Sequence, residues 1–106
     1  MDKLQNIKLK VVGVTFTNED TNTPRQSVIA QLNTESAVFL EREPNNKYDK
    51  NAIKVMTLLG QVGYIGKEYA SILSEMMDTG HKFRVSIAEI DTYKGNYYMQ
   101  VNINEV

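Results

Sequence analysis

The most specific chemistry in the sequence lies in one short polar stretch, Asn46-Lys47-Tyr48-Asp49-Lys50-Asn51. An aromatic ring stands next to a carboxylate, and an asparagine lies on either side. A neutral connector needs only glycine, proline or asparagine at its turn. A ring face for stacking beside a hydrogen-bond acceptor is ligand-binding chemistry, and in a loop it is a functional signal. The plainer roles stand beside it. Asp49 suits a cap that takes backbone N–H groups of the turn, Asn51 suits a backbone hydrogen bond, and Asn45 suits the turn itself.

Other candidate motifs fail on spacing. Gly60-Gln61-Val62-Gly63-Tyr64-Ile65-Gly66-Lys67 has the look of a phosphate loop. The first glycine of such a loop would fall at Gln61, and Glu68 stands where Ser or Thr must follow the lysine. Asp49-Lys50-Asn51 resembles the start of a calcium loop, but Lys54 and Gly60 occupy the positions that need glycine and glutamate. His81 is the one histidine. It has no nucleophile or orienting carboxylate in its neighbourhood of sequence, so it reads as an exposed cation at a helix end. Glu41 and Glu43 flank Arg42 and read as solvated strand residues. No catalytic set, metal site or cofactor motif emerges, and the expectation is a non-enzymatic protein.

Composition agrees with a soluble globular chain. Apolar residues make up 42 % and charged residues 24 %. The 106 residues read as one domain spanning 1–106, with its core at about 7–105. There is no cysteine, hence no disulfide frame and no thiolate site. No apolar run reaches the ~20 residues of a membrane helix. Met1 to Asn6 has no signal-peptide core, so a cytoplasmic location is expected. The net charge of −1 argues against binding duplex DNA mainly through phosphates. It leaves room for binding a few nucleotides by stacking and hydrogen bonds.

The elements that must position the loop follow from periodicity. Ile7 to Phe16 reads as a strand that changes its buried face midway, with a bend at Gly13. Arg25 to Asn33 reads as a short helix with Thr23 as cap and Pro24 in its first turn. Ser36 to Glu43 and Asn51 to Leu58 are the strands on either side of the loop. Gly60 turns into a strand over Gln61 to Ile65. Gly66 opens a helix whose apolar stripe is Tyr69, Ile72, Leu73, Met76 and Met77, and which ends at Gly80. Lys82 to Asp91 and Asn96 to Glu105 form a last hairpin. The order β-α-β-β-β-α-β-β has hairpin-length connections, which disfavour a parallel sheet. The predicted fold is mainly β with two helices, a small six-stranded antiparallel OB-like barrel.

Leu40 to Val55, which reads LEREPNNKYDKNAIKV, resembles the signature of the HIRAN domain. Gly13-Val14-Thr15-Phe16, Val62-Gly63-Tyr64-Ile65 and the helix ending in Met77-Asp78-Thr79-Gly80 fit that family too. The resemblance runs from about Leu9 to Ile103. It implies an OB-like barrel and a domain that, in the eukaryotic fork-remodelling ATPases, captures the 3′ end of single-stranded DNA. Carried over by position, Tyr48 would stack on a terminal base and Asp49 would accept a hydrogen bond from the 3′-hydroxyl. Asn46 would contact backbone or base edge, and Phe16 would sandwich a base. Tyr64 stands where the eukaryotic form has a histidine near a phosphate, and Tyr97 falls at a further aromatic position. Thr15 stands where that form has an arginine.

Elementary energetics are compatible with such a site. A base stacked on Tyr48 or Phe16 gains ~1–3 kcal/mol, and a carboxylate accepting from a hydroxyl adds ~1.5–3 kcal/mol. Asp49 would repel a terminal phosphate and so favour a free hydroxyl. Phe16 and Tyr97 suit core positions as well as a pocket. The expected partner is thus a single-stranded DNA end, with a repair, replication or phage protein as a further partner. The alternative is a protein-interaction adaptor that offers a long edge strand, Asn96 to Glu105, to a partner strand. Oligomeric state is left open.

Overall fold

A computed structural model describes residues 2–106. Six strands form one antiparallel sheet: β1 (Ile7–Val12), β4 (Val38–Arg42), β5 (Ile53–Thr57), β6 (Gly60–Ile65), β7 (Phe83–Tyr93) and β8 (Asn96–Glu105). Their order is β4-β5-β6-β1-β8-β7. The sheet curls until its two edges, β4 and β7, lie against each other without a hydrogen-bonded ladder. The result is the expected mainly β half-barrel with two helices. Two-residue strands β2 (Thr17–Asn18) and β3 (Thr23–Pro24) add a small separate ribbon. Helices α1 (Arg25–Ile29) and α2 (Lys67–Asp78) fill the crossings. Among the described residues no helix is long and apolar enough to cross a membrane.

Alternation of side chains across each strand builds the core. Ile53 and Val55 of β5 and Met99, Val101 and Ile103 of β8 point inward and are buried. Register irregularities interrupt the ladder at Val55/Met56 and at Ile87/Glu89. Such bulges sharpen the bend that lets a six-stranded sheet close on itself.

Several sequence expectations need correction. β1 ends at Val12 and does not switch faces. Gly13 turns the chain with φ +72°, which leaves Val14 buried and Val12 and Phe16 exposed. Helix α1 is only one turn long; Pro24 is its cap residue, and no side chain caps it. The buried face of α2 is rotated from the expected stripe. Ala70, Leu73 and Ser74 are buried, Met76 and Met77 partly so, whereas Tyr69 and Ile72 face solvent. Small residues allow the closest approach, so the helix lies on Ala70 and Ser74 and turns its bulkier Tyr69 outward. Strand β8 is not an edge: it pairs with β1 on one side and β7 on the other, which removes the strand-donating surface proposed for it.

The end of α2 is built as the sequence suggested. Gly80 adopts φ +100°, its N–H bonds to the carbonyl of Met77, and the N–H of His81 bonds back to Met76. This is a glycine-dependent helix stop. Beyond it His81 Nδ1 lies 2.6 Å from Glu105 Oε2, so the imidazole at the helix end is held by a carboxylate from β8.

β1 and β6 pair over only two positions, Val11 with Ile65 and Val12 with Tyr64. Gly63 permits that approach. A Cβ there would stand 2.3 Å from the carbonyl oxygen of Val12 and 2.7 Å from a Val11 methyl. Gly63→Ala should therefore destabilise the fold by ~1–3 kcal/mol. Thermal denaturation followed by circular dichroism should show the midpoint several degrees lower.

Candidate functional site

The loop between β4 and β5 is rigid because its own side chains take up its backbone groups. The Asn46 Oδ1 atom accepts from the N–H of Tyr48 at 2.8 Å and of Asp49 at 2.9 Å. Asp49 Oδ1 in turn accepts from the Asn51 N–H at 2.9 Å. The N–H of Glu43 and that of Ala52 close the loop base through the carbonyls of Ala52 and Asp49. Arg42 braces the far side. Its guanidinium donates to the carbonyls of Ala52 and Lys50 and pairs with Asp78 at the end of α2. The Asp78 hydrogen bond raises the Arg42 pKa. Hydrogen bonds of this short-range kind are why Asn and Asp recur in turns.

This framework exposes one ring and one acceptor. Tyr48 is 84 % exposed, with the Lys47 ammonium 5.2 Å from its ring centre. Asp49 is only partly exposed. Its Oδ1 is occupied by the turn, while Oδ2 has no hydrogen bond among the described residues. The turn-cap role considered for Asp49 therefore engages one of its oxygens and leaves the other without a partner among the described residues.

Glu43, read from sequence as a solvated strand residue, is instead the hub below the loop. Its Oε1 accepts from Asn46 Nδ2 at 2.6 Å and from the Tyr64 hydroxyl at 2.7 Å. Its Oε2 lies 3.2 Å from Lys54 Nζ. Register explains the meeting: Lys54 pairs with Tyr64 across β5 and β6, and Glu41 pairs with Lys54 across β4 and β5. These residues therefore share the outer face of the sheet. Burial alone would push the Glu43 carboxyl up; hydrogen bonds from Asn46, Tyr64 and Lys54, with the Lys54 charge, outweigh it and hold the group below the usual carboxylate range. Burial and the Glu43 hydrogen bond push the Tyr64 phenol up, so it stays a neutral donor.

On the far side of Tyr64 lies Arg25, a second residue that the sequence did not single out. It is 6 % exposed. Nε donates to Asn18 Oδ1 and Nη1 to the Gly13 carbonyl, both at 2.8 Å. The guanidinium carbon is 5.3 Å from the centre of the Tyr64 ring and 5.9 Å from that of Phe16. Each such contact is worth ~0.5–2 kcal/mol. Phe16 itself is 66 % exposed, so it is a surface ring and not part of the core.

Contacts therefore run continuously from Tyr48 and Asp49 through Asn46 and Glu43 to Tyr64, Arg25 and Phe16. Five of the six expected site residues lie along this chain. Tyr97 does not join it. Its backbone exchanges hydrogen bonds with the Gln26 side chain, and its ring packs partly buried against the core. No cluster of three or more His, Cys, Asp or Glu able to hold a metal occurs among the described residues.

The Glu43 hub makes a pH prediction with a definite sign. Because its folded-state pKa is depressed, its stabilising contribution is present above the ordinary carboxylate pKa and is lost as pH falls through the folded value. Between about pH 7 and about pH 3, a range that brackets a free glutamate, the wild-type melting midpoint should fall further than that of Glu43→Gln. Protection of the Tyr48 and Asp49 amides in wild type, taken relative to the intrinsic exchange rate at each pH, should fall over the same range.

The fold agrees with those of known proteins. The HIRAN domain model matches residues 4–104. Helicase-like transcription factors from Oryctolagus cuniculus and Homo sapiens are 56 % and 52 % identical over 48 residues, which is 44 % of this chain. The chain spans about 5 % of the length of those curated relatives. The crystal structure of the HIRAN domain of human HLTF superposes with a TM-score of 0.72 at 28 % identity, over 97 % of this chain and 76 % of that one. A crystal structure of a protein from Lactobacillus plantarum gives 0.70 at 27 % identity, over 96 % and 94 % of the two chains. Residues 4–104 carry the family pattern on the family's half-barrel, and the chain belongs to the HIRAN domain family.

Proposed function

We propose that this protein is a non-enzymatic nucleic-acid-binding module that recognises the 3′ end of single-stranded DNA in repair or replication. The observation that carries the reading is the fixed pairing of Tyr48, 84 % exposed, with the unoccupied oxygen of Asp49. A terminal base stacks on Tyr48, and the 3′-hydroxyl donates to Asp49 Oδ2. Phe16 offers a second exposed ring for the next base. Because the loop is already held by Asn46, Glu43 and Arg42, binding costs little reorganisation.

Each residue has a defined role. Tyr48 supplies stacking, and Asp49 supplies both the hydrogen bond and repulsion of a 3′-phosphate. Asn46 acts through the loop: its Oδ1 fixes the backbone that carries both of them. Tyr64 keeps Glu43 in place. The attraction depends on stacking and one charge-assisted hydrogen bond, in keeping with a net charge of −1. Salt should accordingly weaken binding only gently.

A fluorescence titration with matched oligonucleotides tests the proposal. Strands ending in a 3′-hydroxyl should bind better than strands ending in a 3′-phosphate. Asp49→Asn keeps an oxygen for the Asn51 N–H and should fold normally, yet lose roughly 1.5–3 kcal/mol toward the hydroxyl-ended strand. Tyr48→Ala should lose ~1–3 kcal/mol toward either strand. Equal wild-type affinity for both ends would contradict the assignment of Asp49.

A further inference from the structure

Arg25 is a cation in an unusual position. It is 6 % exposed, yet it forms no ion pair among the described residues; the pairs found there are Arg42 with Asp78, Lys54 with Glu43 and His81 with Glu105. Burying a charge without a partner is costly. Glu43, the carboxylate beyond Tyr64, is taken up by Asn46, Tyr64 and Lys54. What holds Arg25 is an amide oxygen, a backbone carbonyl and two ring faces. These orient the guanidinium without neutralising it.

The free end of the fork is also defined. A guanidinium has five N–H donors. Asn18 takes the one on Nε and Gly13 one of those on Nη1. Nη2 makes no hydrogen bond among the described residues and is not sealed from solvent, because no buried side-chain nitrogen there lacks a partner. One Nη1–H and the Nη2 pair therefore remain without an acceptor among the described residues. Gly13 leaves room for the guanidinium: a Cβ at that position would stand 3.1 Å from Nη1.

We infer that Arg25, fixed between Phe16 and Tyr64, is the phosphodiester-binding residue of this site, engaging the backbone of a strand whose base stacks on the outer face of Phe16. The inference rests on the single-strand reading above and adds a contact to it. Planar guanidinium donors match the geometry of phosphate oxygens, and Arg serves this purpose better than Lys. Arg25 brings its guanidinium to Phe16 from the first residue of α1. An uncompensated cation in a protein of net charge −1 thereby acquires its counter-ion from the ligand.

Side-chain NMR of wild-type protein tests this without a mutation. The Nε and Nη resonances of Arg25 should shift on saturation with a 3′-hydroxyl oligonucleotide. Replacing one of its last linkages by an uncharged methylphosphonate should abolish the shift and weaken binding roughly ten- to hundredfold, the cost of one charged hydrogen-bonded contact. Arg25→Lys, which keeps the charge but not the fork, should weaken binding to the phosphodiester strand more than binding to the methylphosphonate strand. Arg25 resonances that stay unmoved at saturation, or equal weakening of both strands by Arg25→Lys, would overturn the inference. If no oligonucleotide binds, the single-strand reading fails by itself. Titration with inorganic pyrophosphate then decides for Arg25: a selective shift of its resonances sustains an anion site, and no shift overturns it.

Discussion

The Glu43 carboxylate holds together three parts of the molecule that are distant in sequence. One oxygen takes the Asn46 amide and the Tyr64 hydroxyl, and the other meets Lys54. Through Asn46 it reaches the backbone of Tyr48 and Asp49. Through Tyr64 it reaches the Arg25 guanidinium and, beyond it, Phe16. Remove the negative charge, and the exposed ring of Tyr48 loses the anchor that relates it to the rest of the surface. A half-buried carboxylate would ordinarily be a liability. Here three donors satisfy it, and it acts as a joint between a loop and a sheet.

The sheet makes this joint possible. β4, β5 and β6 are consecutive neighbours, so Glu41, Lys54 and Tyr64 align across the outer face by register alone. Glu43 continues that face just past the end of β4. The crossing of β6 over β1 at Gly63 sets where Tyr64 lies relative to Val12, and the turn at Gly13 brings Phe16 round to the same side. The core beneath is an ordinary aliphatic one, with Ile53, Val55, Val62 and Val101 fully buried. Its role in the site is to keep the curl of the sheet constant.

Much of this was legible in the sequence. Periodicity located all six strands of the barrel and both helices, because alternation and the 3.6-residue repeat are local signals. Turn chemistry located the loop and the helix stop at Gly80. Pattern could not reveal which side of a strand end remains open. Phe16 was ambiguous because its exposure depends on β1 stopping at Val12. Tyr69 and Ile72 satisfy helical periodicity as well as Ala70 and Ser74 do, and only packing chooses between the two faces. Glu43 and Arg25 were missed for a common reason: each looks like a surface charge, and each takes its meaning from partners 3 to 21 positions away in the case of Glu43 and 7 to 39 in the case of Arg25. A charged residue at the end of a strand beside a turn rich in asparagine was the available signal for Glu43. For Arg25 it was an arginine at the very start of a helix, where cations are disfavoured by the dipole.

The central claim is that a loop fixed in advance presents Tyr48 and Asp49 to the end of a strand. The most direct measurement is a crystal structure of this protein bound to a short oligonucleotide with a free 3′-hydroxyl. The account predicts the terminal base on the ring of Tyr48, the 3′-hydroxyl on Asp49 Oδ2, and the Asn46 and Glu43 hydrogen bonds unchanged from those described above. A terminal nucleotide bound elsewhere, or a loop that must break those hydrogen bonds to receive it, would contradict the account.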